Sequence, residues 1–171
     1  MIPHPLQKVL VSACLLGQRV RYDGTDARKS WPDLGALERW QTEGRVVALC
    51  PELARGFSVP RPPAEIVGGT AAEVLDGEAE VAELGGNLVT ASFIRGAQQA
   101  LSLVQGLGVR GAVLKEGSPS CGVLRIYDGE FSGQTQGGRG VTAELLQRHG
   151  VQGFSEAQVA DAEAWLTRLE G

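Results

Sequence analysis

Histidine and cysteine, the side chains that most often bind transition metals, are scarce in this chain. Its 171 residues include two histidines and three cysteines, and aromatic residues make up 5%. No CxxC pair and no HxxxH pair is present, so the sequence predicts neither a zinc finger nor a thioredoxin-like dithiol. It also lacks internal repeats and low-complexity tracts.

A surplus of positive charge is absent too, because the formal net charge is −4. A protein that coats a nucleic-acid backbone usually carries a net positive charge. We therefore expect a small molecule, rather than RNA, as the partner. No apolar run approaches the ~20 residues of a membrane span, and the N-terminus lacks the pattern of a signal peptide. The composition, 43% hydrophobic and 21% charged, is typical of globular proteins. We expect a cytoplasmic protein with no membrane partner.

The chain does contain one cysteine shortly after each of three apolar runs that are typical of buried strands. Cys14 follows KVLVSA, Cys50 follows RVVAL, and Cys121 follows GAVLK and a Gly-Ser-Pro turn. In an open α/β sheet, ligands collect outside the carboxyl ends of the strands. We therefore expect the three thiols to converge, although each alone would be interpreted as a small buried hydrophobic residue.

Strand patterns alternate with helical patterns along the chain, which favours right-handed βαβ units. Strand-like runs occupy residues 8–13, 45–49, 111–115 and 151–154; helical spacing occupies 33–42, 87–105, 141–149 and 156–169. Asp76-Gly77 and residues 124–133 predict two hairpins, and residues 56–70 and 135–140 predict loops. The predicted fold is α/β: a single-domain three-layer sandwich over residues 1–171, with a Rossmann-like, mostly parallel sheet and small hairpin insertions.

The donor set decides which metal the three thiols would hold. Zinc would need a fourth protein ligand or a water, and the two histidines, His4 and His149, lie before the first strand and at a helix end. Three thiolates fit an iron–sulfur cluster at least as well. On a four-iron cluster they leave one iron without a protein ligand, and that iron can accept a substrate atom as a Lewis acid.

Two motifs beside the cysteines offer acid–base groups. Glu52 follows Cys50 and a proline; next to a cluster it could act as general acid or base, or it could only favour the start of a helix. Ser118 and Ser120 flank Pro119 before Cys121. Either hydroxyl could donate to a substrate, and Ser-Pro-Ser is also ordinary turn chemistry.

Three loop residues near the cysteines, Arg21, Asp23 and Arg61, are candidates for orienting a polar substrate, with surface ion pairs as the alternative. The glycines in TQGGRG precede a helix and could expose N–H groups to an anion. The segment lacks the GxGxxG and P-loop patterns, so we interpret it as a loop.

Four blocks together resemble a bacterial family, formerly of unknown function, that contains the thiouracil desulfidases. They are VSACLLGQRVRYDG, LCPELARGFSVPRPPAEI, LKEGSPSCGVLRIYDGEFSG and GRGVTAELLQRHG. The blocks occur in the family's order and cover roughly a third to a half of the chain. Three of them contain the cysteines, whereas residues 68–84 match no block of the family.

The resemblance implies a [4Fe–4S] cluster bound by Cys14, Cys50 and Cys121. It implies non-redox removal of sulfur from a thiolated pyrimidine such as 2-thiouracil, as base or nucleoside, giving the oxo product and sulfide. The family's catalytic carboxylate corresponds to Glu52 and its catalytic serine to Ser118, with Ser120 the second choice. Longer relatives that act on transfer RNA carry a second domain. This sequence ends soon after the common region, so we expect a free base or nucleoside as substrate.

Two other classes of function would use the same thiols. A non-catalytic metal-binding or redox-sensing module would need the cysteines but neither Glu52 nor Ser118. A thiol-nucleophile hydrolase needs a base beside one cysteine, and the histidines are poorly placed for that. In the desulfidase, we expect a pocket for one pyrimidine ring between the loop after Cys14 and the Pro-rich loop near Arg61.

Overall fold

A computed structural model describes residues 5–52 and 58–171. Within these ranges, eight short strands and five α-helices form the framework of the protein. The strands are β1 (Val9–Ser12), β2 (Val46–Leu49), β3 (Ala64–Val67), β4 (Glu80–Glu83), β5 (Gly111–Leu114), β6 (Arg125–Tyr127), β7 (Thr135–Gly137) and β8 (Gln152–Ser155). The helices are α1 (Gly35–Thr42), α2 (Ala71–Leu75), α3 (Thr90–Leu107), α4 (Val141–Arg148) and α5 (Val159–Leu169).

A parallel sheet in the order β2-β1-β5-β8 is the centre of the molecule. Its two inner strands, β1 and β5, are buried along their whole length, as expected when helices cover both faces. Val9 and Val11 of β1 pack with residues of α1 and α5. Leu10, on the opposite face, packs with residues of α3 and α4. This is the predicted three-layer α/β sandwich.

A third apolar cluster lies beside the sheet and holds the antiparallel insertions. Strands β3 and β4 pair with each other, and so do β6 and β7. Ile66 of β3, Val81 of β4 and Ile126 of β6 share this cluster with Phe93 of α3 and Val141 of α4. The insertions are therefore packed onto the helices of the sandwich.

The hairpin predicted around Asp76-Gly77 is wrong. Residues 71–75 form α2, because Thr70 and Glu73 make a capping box in which each side chain accepts from the other residue's backbone N–H,. Gly77 follows the helix with φ +83°, and the partner of β4 is β3, inside the segment predicted as a loop. Residues 53–57, which include the start of that loop, lie outside the described ranges.

Other differences are local. Helix α3 begins at Thr90 with Val89 as N-cap, whereas Asn87, the predicted cap, donates from Nδ2 to Glu83 Oε1. The hairpin predicted within residues 124–133 exists, but its second strand lies at 135–137, in the predicted Gly-rich loop. Residues 128–134 consequently form a long connection. Among the described residues, no helix is both long and apolar enough to cross a membrane.

Candidate active site

The three cysteines lie at the carboxyl edge of the parallel sheet. Cys14 is in the 3-10 turn Ala13–Leu16 directly after β1, and Cys50 directly follows β2. Cys121 lies in a turn after β5, the strand that pairs with β1 on its other side. Because these strands are adjacent and parallel, their ends bring the three thiols to one edge, as the sequence predicts.

One cavity of about 400 Å³ opens at this edge. It is lined by all three cysteines together with Glu52, Arg61 and Ser118. Arg21 and Ser120 also line it, whereas Asp23 does not. As placed, no three His, Cys, Asp or Glu side chains among the described residues form a group that would hold a single metal ion.

The electrostatics of the thiols reflect burial and mutual proximity. Burial, and then the charge of Cys50, raise the pKa of Cys14 to about 11, while the positive charges of Lys115 and Arg21 act in the opposite direction. Burial also raises the pKa of Cys121; a hydrogen bond from Ser12 lowers it, and the charges of Cys50 and Cys14 raise it further. Three soft donors that repel one another as thiolates fit a shared cationic group.

The turn that carries Cys121 is clamped by the first turn of α4. The N–H groups of Gly140 and Val141 donate to the carbonyls of Gly122 and Pro119, both at 2.8 Å, and that of Thr142 donates to Ser120 at 2.9 Å. The helix thereby satisfies its own unpaired N–H groups on the cysteine turn. A Cβ at Gly140 would lie 2.4 Å from the carbonyl carbon of Ser120, so only glycine permits this close approach.

The two serines of this turn have different environments. Ser118 Oγ accepts from the N–H groups of Ser120 and Cys121, both at 3.1 Å, which leaves its hydroxyl proton available to donate. Ser120 is 1% exposed, and its Oγ lies 2.8 Å from Oγ1 of buried Thr142. The hydroxyl of Ser120 is thus occupied inside the turn, while that of Ser118 can serve the cavity.

Glu52 is paired with Arg61 across the cavity wall. The Oε2 atom of Glu52 accepts from Nη2 of Arg61, and both side chains are largely buried. The same Nη2 donates to the carbonyl of Val20 at 3.1 Å, and the Arg61 N–H donates to the carbonyl of Tyr22 at 2.6 Å. Arg61 therefore fixes the carboxylate of Glu52 and ties the Pro-rich segment to the loop after Cys14.

Arg21 and Asp23, the other two loop residues predicted to contact substrate, have different environments. Arg21 lines the cavity, and its charge lowers the pKa of Cys14. The exposed Asp23 accepts from the backbone N–H and the hydroxyl of Thr25, which lowers the pKa of Asp23. His149 Nδ1 lies 3.0 Å from the carbonyl oxygen of Leu145 at the end of α4, and His4 lies outside the described residues.

Sequence reasoning missed a charged network at the base of the loop that carries Cys121. Lys115 Nζ lies 3.1 Å from Glu156 Oε1, and Glu156 Oε2 accepts from the Glu116 N–H. Glu116 Oε1 accepts from the N–H groups of Val123, Leu124 and Arg125 at 2.9 to 3.0 Å. This carboxylate thus closes the loop that bears Ser118 and Cys121. The Lys-Glu pair after an apolar strand was the available signal, but its partners are not local in sequence.

Aromatic and acidic side chains from the insertions were also missed. Tyr127, Phe131 and Glu65 line the cavity, and Glu65 is only 8% exposed. A single aromatic residue in a polar loop gives no signal of this placement. The cavity therefore has one side built from strand ends and another built from the antiparallel insertions.

Comparisons with known proteins agree with this arrangement. A model of the 2-thiouracil desulfurase family matches residues 9–158. The uncharacterized protein YbbK of Bacillus subtilis (strain 168) is 41% identical over 153 residues, which is 90% of this chain and 98% of that protein. The solved structure of the [4Fe-4S]-dependent thiouracil desulfidase TudS is similar with a TM-score of 0.84 and 48% identity, covering 95% of this chain and 99% of that one.

The span matched by the family model, residues 9–158, contains the parallel sheet and all three cysteines, and the matches define a desulfidase built on an α/β sandwich. The chain belongs to the 2-thiouracil desulfurase family. The family, the fold class and the type of enzyme predicted from the sequence are thereby confirmed. The cofactor prediction is confirmed in kind, since TudS depends on a [4Fe-4S] cluster and this chain presents three cysteines in one cavity. The roles of individual residues stay predictions.

Proposed function

We propose that residues 1–171 form one desulfidase domain that holds a [4Fe–4S] cluster through Cys14, Cys50 and Cys121. Its reaction is the non-redox hydrolysis of a thiolated pyrimidine, a 2-thiouracil-like base or nucleoside, to the oxo product and sulfide. The observation that carries the proposal is the placement of three strand-end cysteines and Glu52 in one cavity. A 48% identical relative with the same fold is a [4Fe-4S]-dependent thiouracil desulfidase.

The reaction balances without an oxidant or reductant. The thiocarbonyl carbon gains an oxygen from water and loses its sulfur, so a thiocarbonyl and water become a carbonyl and hydrogen sulfide. When bound, the cluster supplies an iron without a protein ligand, a Lewis acid that can polarise the C–S bond. The remaining requirements are a base for the water, a proton donor and a way to orient the ring.

Glu52 is the proposed base. Its Oε2 accepts from Arg61, so the side chain is held in one orientation, and its other oxygen can accept a proton from the attacking water. Arg61 is then a positioning residue for Glu52, in addition to its predicted place near the substrate. Arg21 supplies a second positive charge at the cavity and is the candidate for contacting a polar substrate atom.

Ser118 is the proposed proton donor. Its Oγ accepts two backbone N–H groups, which makes the hydroxyl a better donor and fixes its position. Ser120, the second choice from the sequence, has a structural contact with Thr142 instead. Asp23 was predicted to contact substrate; its carboxylate is occupied by Thr25 outside the cavity lining, so it has no part in the proposal.

The test is the activity and iron content of anaerobically reconstituted protein. We expect about four irons per chain and stoichiometric release of uracil and sulfide from 2-thiouracil. Glu52→Ala should retain the iron and lose sulfide release by about 100-fold or more. Glu78→Ala, at an exposed position outside the cavity lining, is the matched control.

Three outcomes would each contradict part of the proposal. Full iron content with no conversion of any thiolated pyrimidine base or nucleoside would favour the non-catalytic or redox-sensing module. Unchanged sulfide release by cluster-loaded Glu52→Ala would remove Glu52 from the mechanism. Zinc as the sole metal of anaerobically prepared protein would overturn the cofactor.

A further inference from the structure

Phe131 has an unusual backbone conformation at the edge of the cavity. It is the one non-glycine residue of the described ranges with a positive φ, at +54°, and it lines the cavity with Tyr127. The left-handed region is strongly disfavoured for a bulky aromatic residue. Such backbone strain persists only where the surroundings hold it, and it is concentrated at functional sites.

The surroundings of Phe131 hold it firmly. Glu65 Oε1 accepts from the N–H groups of Gly129 at 2.9 Å and of Phe131 at 3.2 Å. Asp128 accepts from the Glu130 N–H at 2.9 Å and from the Ser132 hydroxyl at 2.6 Å. A Cβ at Gly129 would lie 2.4 Å from the carbonyl oxygen of Ile66. The β6–β7 loop, residues 128–134, is therefore docked directly on β3.

The side chain of Glu65 is buried where it contacts the β6–β7 loop. Its residue is 8% exposed, and among the described residues no Lys or Arg forms an ion pair with it. A buried carboxylate without a cation needs other donors, and the two N–H groups of the loop supply them. The side chain of Glu65 thus holds the loop that presents Phe131.

We propose that Phe131 contacts the pyrimidine ring of the substrate and that Glu65 positions it. The inference rests on the proposed function and names the part of the same cavity that recognises the ring. A pyrimidine is flat and conjugated, and an aromatic side chain packs against such a ring without needing a hydrogen bond. The polar groups of the cavity, Glu52, Ser118 and Arg21, remain for the reacting atoms.

The test compares two substitutions of Phe131 in cluster-loaded protein. Phe131→Asn removes the ring but tolerates the left-handed backbone, whereas Phe131→Tyr keeps the ring. We expect Phe131→Asn to raise KM for 2-thiouracil on the order of tenfold, with kcat changed less than about twofold. Phe131→Tyr should leave both parameters near those of the wild type. Iron content should be equal in all three proteins.

Uracil separates ring contact from chemistry, because it has the ring without the thiocarbonyl. Its dissociation constant from Phe131→Asn should rise by the same factor as KM. Equal affinity of wild type and Phe131→Asn for uracil, or no binding by the wild type, overturns the ring contact. Wild type that binds uracil through Phe131 but releases no sulfide from 2-thiouracil would overturn the proposed reaction and retain the ring contact.

Glu65 is tested by a conservative and a disruptive substitution. Glu65→Gln keeps an acceptor oxygen for the loop and should retain a KM within about threefold of the wild type. Glu65→Ala should raise KM as much as Phe131→Asn, and the double variant should be no worse than either single variant, because both changes act on one contact. Additive effects in the double variant, or no effect of Glu65→Ala, overturn the positioning role.

Discussion

The cavity has two walls of different origin. The strand-end wall comprises Cys14, Cys50, Ser118 and Cys121, which follow the parallel strands; the insertion wall comprises Arg61, Glu65, Tyr127 and Phe131. Ser118 fixes the Cys121 N–H three residues away, whereas Glu65 reaches residues 64 and 66 positions further along the chain. The first wall is assembled by the regular pairing of parallel strands, whereas the second depends on individual side-chain contacts between separate insertions.

This difference suggests a division of labour. In the proposed reaction the strand-end wall holds the cluster and a proton donor, so changes there should abolish or severely slow the chemistry. The insertion wall orients Glu52 and the ring, so changes there should be partial. A set of variants with graded effects can break or sharpen this comparison.

The largest effect is expected for a cysteine. Cys121→Ser replaces a soft thiolate by a hard oxygen donor, so we expect most of the iron to be lost and sulfide release to fall to background. Anaerobic iron analysis and the visible absorption spectrum measure this. Ser102→Ala, exposed on α3, is a control for mutagenesis and reconstitution. Full iron content in Cys121→Ser would show that Cys121 is not a ligand of the cluster. The strand-end wall would then not have the role proposed for it.

The second effect distinguishes the two serines. Ser118→Ala removes the hydroxyl that faces the cavity and should lower kcat by about 100-fold with iron retained. Ser120→Ala removes a buried hydrogen bond to Thr142 and should lower the free energy of unfolding by about 1 kcal/mol with a much smaller change in kcat. Steady-state kinetics and thermal unfolding of both variants measure the contrast. The reverse pattern would assign the chemistry to Ser120.

The third effect concerns the clamp of α4 on the cysteine turn. In Gly140→Ala the new Cβ would overlap the carbonyl carbon of Ser120 at 2.4 Å, so the helix and the turn must separate. We expect the free energy of unfolding to fall by about 2 kcal/mol and the cluster to be lost faster in air. Gly137→Ala, whose Cβ would meet nothing within 4 Å, should change stability by less than about 0.5 kcal/mol. Equal stability of the two variants would mean that the helix does not clamp the turn.

The sequence predicts the strand-end wall better than the insertion wall, because the two walls are assembled by different kinds of contact. Buried strands have a clear apolar pattern, and parallel strands place their ends at one edge, so the sequence alone was enough to bring Cys14, Cys50 and Cys121 together. Glu65 lies in a Pro-rich stretch that was predicted to be a loop, and its partners Gly129 and Phe131 belong to another insertion. Local patterns carry no information about such a contact.

The short helix α2 teaches the same lesson at smaller scale. Asp76-Gly77 predicted a hairpin turn, but the capping box of Thr70 and Glu73 a few residues earlier begins a helix, and the Asp-Gly pair ends it. The true partner of β4 is β3. Turn residues indicate that the chain reverses direction, but only the flanking segments determine which elements the turn joins.

The smallest effect is expected in the insertion wall, at Arg61. Its Nη2 contacts both Glu52 and the carbonyl of Val20, and its Nη1 donates to the carbonyl of Ser58 at 3.4 Å. Lysine offers a single ammonium on a flexible chain and cannot occupy both nitrogen positions of the planar group. Arg61→Lys keeps the positive charge beside Glu52 but not the geometry of the contact, so Glu52 should lose its fixed orientation. We expect kcat to fall by about tenfold, with iron content and KM for 2-thiouracil little changed.

Two further measurements decide what the Arg61 result means. Arg95→Lys, exposed on α3, controls for the substitution itself and should have wild-type kinetics. In the background of Glu52→Ala, Arg61→Lys should have no additional effect on kcat, because a residue that acts through Glu52 has nothing left to position. A rise in KM of about tenfold at unchanged kcat would instead place the guanidinium on the substrate. The insertion wall would then bind the ring and its polar atoms alike, and the orientation of Glu52 would be a property of the strand-end wall alone.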